Sequence, residues 1–377
     1  MSALAHLNTP SALIDLDRMQ ANIARMQTRM DSLQVKFRPH VKTSKSAAVA
    51  AQQLAAGACG VTVSTLREAE QFYADGISDI LYAVGMVANK LPQALALRRL
   101  GCDLKIITDS LASAQAIVQF GQLHGEILEV WIEIDSDGHR SGIKPEQQAL
   151  LDVGQCLHQG GMKLGGVLTH AGSSYEYDTP VALIAIAEQE RAACVLAAER
   201  LRAAGLPCPV VSVGSTPTAL AAESLAGVTE VRAGVYVFFD LVMHNVGVCR
   251  MDEIALSVLT TVIGHQEEKG WAIVDAGWMA MSRDRGTQRQ KCDFAYGQVC
   301  DLAAQPLAGY VLSSANQEHG ILSLRDGVDA DIVRRFPIGT QLRILPNHAC
   351  ATGAQYPEYI AIDAAGEVRH WPRLHGW

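Results

Sequence analysis

Several features are missing from this 377-residue chain. No Cys-x-x-Cys pair occurs. The nine cysteines (Cys59, Cys102, Cys156, Cys194, Cys208, Cys249, Cys292, Cys300 and Cys350) are odd in number and scattered. That pattern argues against a disulfide framework and fits reduced thiols in a cytoplasmic protein. No apolar run approaches the ~20 residues needed to cross a bilayer. Met1 to Pro10 has neither a basic segment nor a long apolar one, so no secretory signal is expected. Excess positive charge is missing too: the net charge of −8 gives no reason to expect nucleic acid or an anionic membrane as a partner. No Gly-x-Gly-x-x-Gly follows an early strand, which weakens a dinucleotide-binding open sheet. Neither a solenoid repeat nor a low-complexity linker is visible.

The sequence does contain a sustained alternation. Ser11 to Leu16 reads as a short apolar strand, and Asp17 is placed to cap a helix in which Met19, Ile23 and Met26 recur at helical spacing. Extended runs are then expected at 35–43, 60–65, 79–84, 103–108, 128–135, 163–170, 209–215 and 228–238. Ala- and Leu-rich helices at 45–56, 66–74, 91–100, 111–120 and 181–204 separate them. Eight β units with crossover helices in one sweep predict an α/β fold, a (β/α)8 TIM-type barrel over residues 17–240. After Asp240 the texture changes to short strands with few long helices. Residues 241–377 are therefore expected to form a mostly β domain, joined by the N-terminal strand within residues 1–16.

In such a barrel the chemistry lies at the carboxyl ends of the strands. The first run ends in Phe37-Arg38-Pro39-His40-Val41-Lys42. A lysine there can form a Schiff base with a carbonyl cofactor; alone, the stretch equally describes a surface lysine in a basic loop. Gly214-Ser215-Thr216 precedes a short helix expected at 218–225. Glycine lets backbone N–H groups approach an anion and hydroxyls add donors, so the turn suits a phosphate; the plainer reading is a helix cap. Gly234-Val235-Tyr236 on the next strand strengthens the phosphate reading, because phosphate sites in these barrels favour the loops after strands seven and eight. In Pro346-Asn347-His348-Ala349-Cys350 an extended chain would point His348 and Cys350 to one side, offering an imidazole and a thiolate to one metal. The alternative is a buried cysteine beside an ordinary histidine. Asn316 to Gly320 is a further polar patch, either support for that site or a simple turn.

Arg-Pro-His-x-Lys, Thr-Val-Ser-Thr at 62–65, the glycine turn after strand seven and the late His-x-Cys together resemble fold-type III pyridoxal-phosphate enzymes, which are alanine-racemase-like. More narrowly, the chain resembles the D-threonine aldolase/D-serine dehydratase family over nearly its whole length. The resemblance implies that Lys42 is the catalytic lysine carrying pyridoxal 5′-phosphate. Gly214, Ser215, Thr216, Gly234 and Tyr236 would hold the phosphate, with Arg140 and Tyr175 near the ring. His348 and Cys350 would bind a divalent metal, most simply zinc, with manganese, cobalt or magnesium as alternatives. The aldolase branch typically shows His-x-Asp where this chain has His-x-Cys, which favours elimination over carbon–carbon cleavage. The expected activity is a dehydratase (ammonia-lyase) acting on small-molecule 3-hydroxy D-amino acids: 3-hydroxyaspartate would give oxaloacetate and serine would give pyruvate. The alternatives are an aldolase releasing glycine and an aldehyde, and a non-catalytic pyridoxal-phosphate-binding protein. Resemblance also implies a homodimer. His40, Arg140 and His170 are unranked candidates to meet a second carboxylate on the substrate.

Overall fold

A computed structural model describes residues 3–377. The chain forms two compact units, one of residues 25–234 with 376–377 and one of residues up to 24 with 235–375. Strands are numbered along the chain: β1 (Ser11–Asp15), β2 (Lys36–Pro39), β3 (Val61–Val63), β4 (Asp79–Gly85), β5 (Asp103–Thr108), β6 (Glu129–Ile134), β7 (Lys163–Thr169), β8 (Val210–Val213), β9 (Glu230–Ala233), β10 (Leu256–Gln266), β11 (Trp271–Val274), β12 (Gln298–Cys300), β13 (Pro306–Ala315), β14 (Gly320–Leu324), β15 (Gln341–Leu345), β16 (Glu358–Ile362) and β17 (Val368–Pro372).

In the first unit β2 to β9 form an eight-stranded parallel sheet, β2-β9-β8-β7-β6-β5-β4-β3. A bridge between His40 and Thr62 joins the two ends, so the sheet closes into the expected barrel. Serine and threonine at the strand ends cap the crossover helices. Thr65 accepts from the Glu68 N–H, Ser110 from Ser113, Thr179 from Ala182 and Ser215 from Thr218. This is why several β runs in the sequence lead into a serine or threonine before the next helical period begins.

The barrel interior is chemically divided. Leu81, Ile107, Trp131 and Leu168, from β4 to β7, pack into an apolar cluster. Toward the amino-terminal ends of the strands, Arg38 pairs with Glu230 at 2.8 Å and with Asp79 at 2.6 Å, and Lys105 meets Asp79 at 2.6 Å. Arg232, fully surrounded by protein, donates to the Ser212 hydroxyl at 2.6 Å and to the Thr169 carbonyl at 2.5 Å. Each of these charges has partners, as burial requires.

Two element boundaries differ from expectation for identifiable reasons. The first barrel strand stops at Pro39, and residues 41–44 turn, with the Lys45 N–H donating to the Val41 carbonyl at 2.7 Å. Lys45 has a positive φ of 46°, so the following helix begins only at Ala47. The helix over Leu16–Ser32 is capped by Asp15 rather than Asp17: Asp15 Oδ1 accepts the Arg18 N–H at 3.1 Å.

The second unit is built on the remaining nine strands, ordered β11-β14-β13-β12-β15-β10-β1-β16-β17, and β11 also pairs with β10. The antiparallel strands β10, β11, β14, β13, β12 and β15 therefore close on themselves. Long β10 makes this possible: its first half lies between β1 and β15, and its second half turns to β11. β1 is interior, antiparallel to β10 and parallel to β16. Leu13 of β1 packs with Leu4, Leu259 and Ile360 in one cluster.

Candidate active site and metal-ligand segment

The barrel unit places Lys42, Arg140, Tyr175, Gly214, Ser215, Thr216 and Gly234 after the carboxyl ends of β2, β6, β7, β8 and β9. Lys42 is exposed, in the turn that follows β2. Its backbone N–H faces His40 Nδ1 at 3.4 Å, so that ring nitrogen accepts. His170 takes the opposite tautomer: its Nδ1 lies 2.9 Å from the Gly214 carbonyl, which can only accept, so Nδ1 carries the proton. Burial, reinforced by Lys42 and other nearby cations, holds the His40 imidazole far below its usual proton affinity. Burial and then the Arg140 charge bring His170 down to about 3. Both rings are therefore neutral near pH 7, which leaves Arg140 as the cation among the three candidates for a substrate carboxylate.

The loops after β6, β7 and β8 are tied to one another. Ser173 donates through both N–H and hydroxyl to Asp137 Oδ2, each at 2.8 Å. A Cβ on Gly172 would lie 2.1 Å from the His139 ring, so only glycine allows that approach. Tyr175 stands beside His170, with ring centroids 6.2 Å apart. Ser174 and Ser215 share a hydrogen bond of 2.8 Å between their hydroxyls. Ser215 is also the cap of the helix Thr216–Ala221, where its hydroxyl receives the Thr218 N–H. The turn is thus a helix cap in this structure, whatever else it binds. Its helix starts at Thr216, two residues before the expected position, because Pro217 suits the first turn.

Gly214 has a φ of +134°, and a Cβ there would sit 2.1 Å from the Arg232 carbonyl. Its N–H donates to Glu190 Oε1 at 3.0 Å, and the same oxygen accepts from Ala171 at 2.9 Å. Glu190, from the helix Pro180–Ala203, is therefore a staple between the loops after β7 and β8. Burial raises its pKa, and these hydrogen bonds oppose the rise. Sequence reading missed Glu190. The available signal was a charged residue on the stripe that also contains Ala187, Cys194 and Ala197, all buried. Gly234 closes tightly as well, since a Cβ would come 3.0 Å from the His40 carbonyl and 3.1 Å from Thr43 Oγ1.

Tyr236 belongs to the β unit, buried in the 3-10 turn Val235–Val237. In that unit His348 and Cys350 are not on a strand. His348 occupies the cap position of the helix Ala349–Gly353, and Cys350 lies in its first turn. Alternation along a strand therefore does not explain their pairing. The imidazole nevertheless hydrogen-bonds the Cys350 side chain. Both residues are half-buried, within reach of an ion.

The segment is firmly held. Asp240 Oδ2 accepts the Ala349 N–H at 2.9 Å while its Oδ1 caps the helix Leu241–Val246. Asn347 accepts from the Thr287 hydroxyl at 3.0 Å and donates to the Ala295 carbonyl at 2.6 Å. Thr352 donates to the Met281 carbonyl at 2.7 Å. His348 Nδ1 lies 2.5 Å from Asp284 Oδ2. Residues 316–319 of the patch are the exposed connection between β13 and β14, with the Asn316 N–H donating to the His319 carbonyl, and Gly320 is the buried start of β14.

This architecture defines an alanine-racemase-like enzyme. The alanine racemase N-terminal domain family model matches residues 14–242, and a serine dehydratase domain model matches residues 255–362. The chain is 71% identical over 376 residues to a D-threo-3-hydroxyaspartate dehydratase from Delftia sp., covering 99% of each. The solved structure of the Delftia sp. HT23 protein superposes with a TM-score of 0.99 at 70% identity, over 100% of both chains. A cysteine-to-alanine mutant of that dehydratase, solved in the metal-free form, matches equally well, at a TM-score of 0.99 and 70% identity over 100% of both chains. A D-serine dehydratase of Dictyostelium discoideum is 28% identical, covering 97% of this chain and 98% of the relative. The chain belongs to the fold-type III pyridoxal-phosphate enzymes, in the family of the D-threo-3-hydroxyaspartate and D-serine dehydratases.

Proposed function

We propose that this chain is a pyridoxal-phosphate-dependent dehydratase that eliminates water from 3-hydroxy D-amino acids. D-threo-3-hydroxyaspartate would give oxaloacetate and ammonia, and D-serine would give pyruvate and ammonia. The observation that carries this reading is the end-to-end likeness to the Delftia dehydratase, with His-x-Cys present in the β unit.

The barrel residues fit the cofactor. Gly214 and Gly234 hold their backbone against the Arg232 and His40 carbonyls where no side chain would fit, the Ser215 and Thr216 hydroxyls stand between them in sequence, and Lys42 offers an exposed amine. Pyridoxal phosphate bound at Lys42 supplies a sink for the electron pair left at Cα. Lys42, released when the substrate amine takes its place on the cofactor, would be the base that accepts the Cα proton. We assign the phosphate to Gly214, Ser215, Thr216, Gly234 and Tyr236, and place Arg140 and Tyr175 near the ring. Arg140 also meets the second carboxylate of 3-hydroxyaspartate, because His40 and His170 are neutral. The nitrogen and sulfur donors of His348 and Cys350 fit a divalent cation, zinc before manganese, cobalt or magnesium. Such a cation supplies Lewis-acid assistance to the departing hydroxide.

Nine free cysteines suit a reducing, cytoplasmic setting, and family likeness supports a homodimer. No helix of the described residues is long and apolar enough to cross a membrane. The test is an assay of D-serine, D-threonine and the 3-hydroxyaspartate isomers, scoring oxo acid against glycine. Oxo acid from D-threo-3-hydroxyaspartate is expected. Glycine and aldehyde as the main products, with no oxo acid from any substrate, would replace this reading with an aldolase.

A further inference from the structure

Asp284 is the residue whose geometry goes furthest beyond this reading. Its Oδ2 lies 2.5 Å from His348 Nδ1, and its other carboxylate contact is the Gly286 N–H. The Asp284 N–H donates to the Ser282 hydroxyl at 2.9 Å. The loop that carries Asp284 is joined to the His348 segment a second time, through Thr287 and Asn347. Removing the Asp284 carboxylate would therefore leave the backbone of both segments tied in place.

A carboxylate oxygen only accepts, so the proton between the two groups sits on His348 Nδ1. That leaves Nε2 as the nitrogen that a cation can take. Asp284 does not itself complete a ligand set: among the described residues no three His, Cys, Asp or Glu side chains are grouped so as to hold one metal. We propose that Asp284 is a positioning residue for metal binding, which fixes the tautomer and ring orientation of His348 so that Nε2 is presented to the cation. A partner of this kind makes the imidazole more basic and removes the entropy of ring rotation on binding, typically worth 10–100-fold in affinity.

The proposal rests on His348 and Cys350 being metal ligands, and the experiment separates the two ideas. Full-length protein is stripped with chelator, and zinc affinity is measured by competition with a chromophoric chelator. Wild type is expected to bind one zinc per chain, and Asp284→Ala to bind it 10–100-fold more weakly. Asp284→Asn keeps the shape and an acceptor oxygen and should fall between them, which covers the case in which the alanine variant fails to fold. In a His348→Ala background the Asp284→Ala change should add no further loss, because Asp284 acts through that ring. Exchange of the substrate Cα hydrogen with deuterated water should be the same in wild type and in the two Asp284 variants. Equal zinc affinity in wild type, Asp284→Asn and Asp284→Ala overturns the positioning role while leaving the ligand assignment intact. A full additional loss in the His348→Ala background also overturns it. If wild type binds no zinc, both assignments fail together.

Discussion

Lys45 Nζ lies 3.0 Å from Glu68 Oε1, and the Glu68 side chain has no solvent exposure. The same carboxylate accepts from the Ser64 N–H and from the Ser64 and Thr65 hydroxyls. Lys45, the rival of Lys42 three residues on, is thus committed to a structural ion pair, while Lys42 is exposed in the turn before it. Lys42→Ala should fold normally and lose both the visible absorbance of the bound cofactor and activity. Lys45→Ala should keep that absorbance and lose stability, by about 2 kcal/mol for a buried acceptor left short of a partner. Absorption spectra and thermal melts of the two variants decide this; loss of the absorbance in Lys45→Ala alone would assign the cofactor to the wrong lysine.

Ser215 caps a helix and is assigned a second, separable role at the cofactor phosphate. As a cap its loss should cost about 1 kcal/mol of stability. As a donor to the cofactor phosphate, its loss together with that of Thr216 should weaken cofactor retention, with activity recovered at high pyridoxal phosphate. Dialysis of Ser215→Ala/Thr216→Ala followed by titration with cofactor measures the second effect. Retention equal to that of wild type would leave the turn with its capping role alone.

His170 should make the fold acid-sensitive. Its folded pKa, about 3, is depressed below the ordinary value near 6.5, so the unfolded chain binds a proton that the native site rejects. The stabilisation is fully present above pH 6.5. It is lost at up to about 1.4 kcal/mol per unit as the pH falls from there toward 3. His170→Asn keeps a donor for the Gly214 carbonyl and cannot titrate. The drop in melting temperature between pH 7 and pH 4.5 should therefore be smaller in His170→Asn than in wild type. Parallel curves for the two proteins would show that the ring titrates normally.

Metal removal should separate the two halves of the reaction. Lys42 is assigned to the chemistry at Cα, and His348 and Cys350 to the departure of hydroxide. Chelated enzyme, or His348→Ala, should still exchange the Cα hydrogen of D-serine with deuterated water while releasing almost no ammonia. Zinc should restore ammonia release to the chelated wild type and not to the variant. Elimination at full rate after chelation would return His348 and Cys350 to a merely structural pair.

The barrel was legible because burial on both faces leaves Val- and Ile-rich runs in strands such as β5, β6 and β8, and a serine or threonine marks the cap after several of them. β5 and the helix Leu66–Ala74 match their expected bounds fully. The β unit was harder to read. β12 has three residues and a register shift, β14 opens on glycine, and β17 reads Val-Arg-His-Trp-Pro, with the charge and proline typical of an edge strand. None has the length or alternation that betrays a strand. Lys42, His348 and Cys350 stood out by local motif. Glu190 and Asp284 did not, because each matters through a partner, Gly214 or His348, that lies 24 or 64 residues away.

The place of β1 has a consequence for how the protein is made. Its five residues leave the ribosome before any barrel strand, yet both their neighbours, β10 and β16, are made after the whole barrel. The barrel strands are contiguous and can close as soon as β9 appears, whereas β1 has no partner until β10 is made and only one until β16 follows. During that interval Ala12, Leu13 and Ile14, all destined for burial, are open to water or to a chaperone. Assembly of the β unit is therefore held to the end of translation, and a chain cut short before β16 would keep a barrel beside a sheet it could not complete.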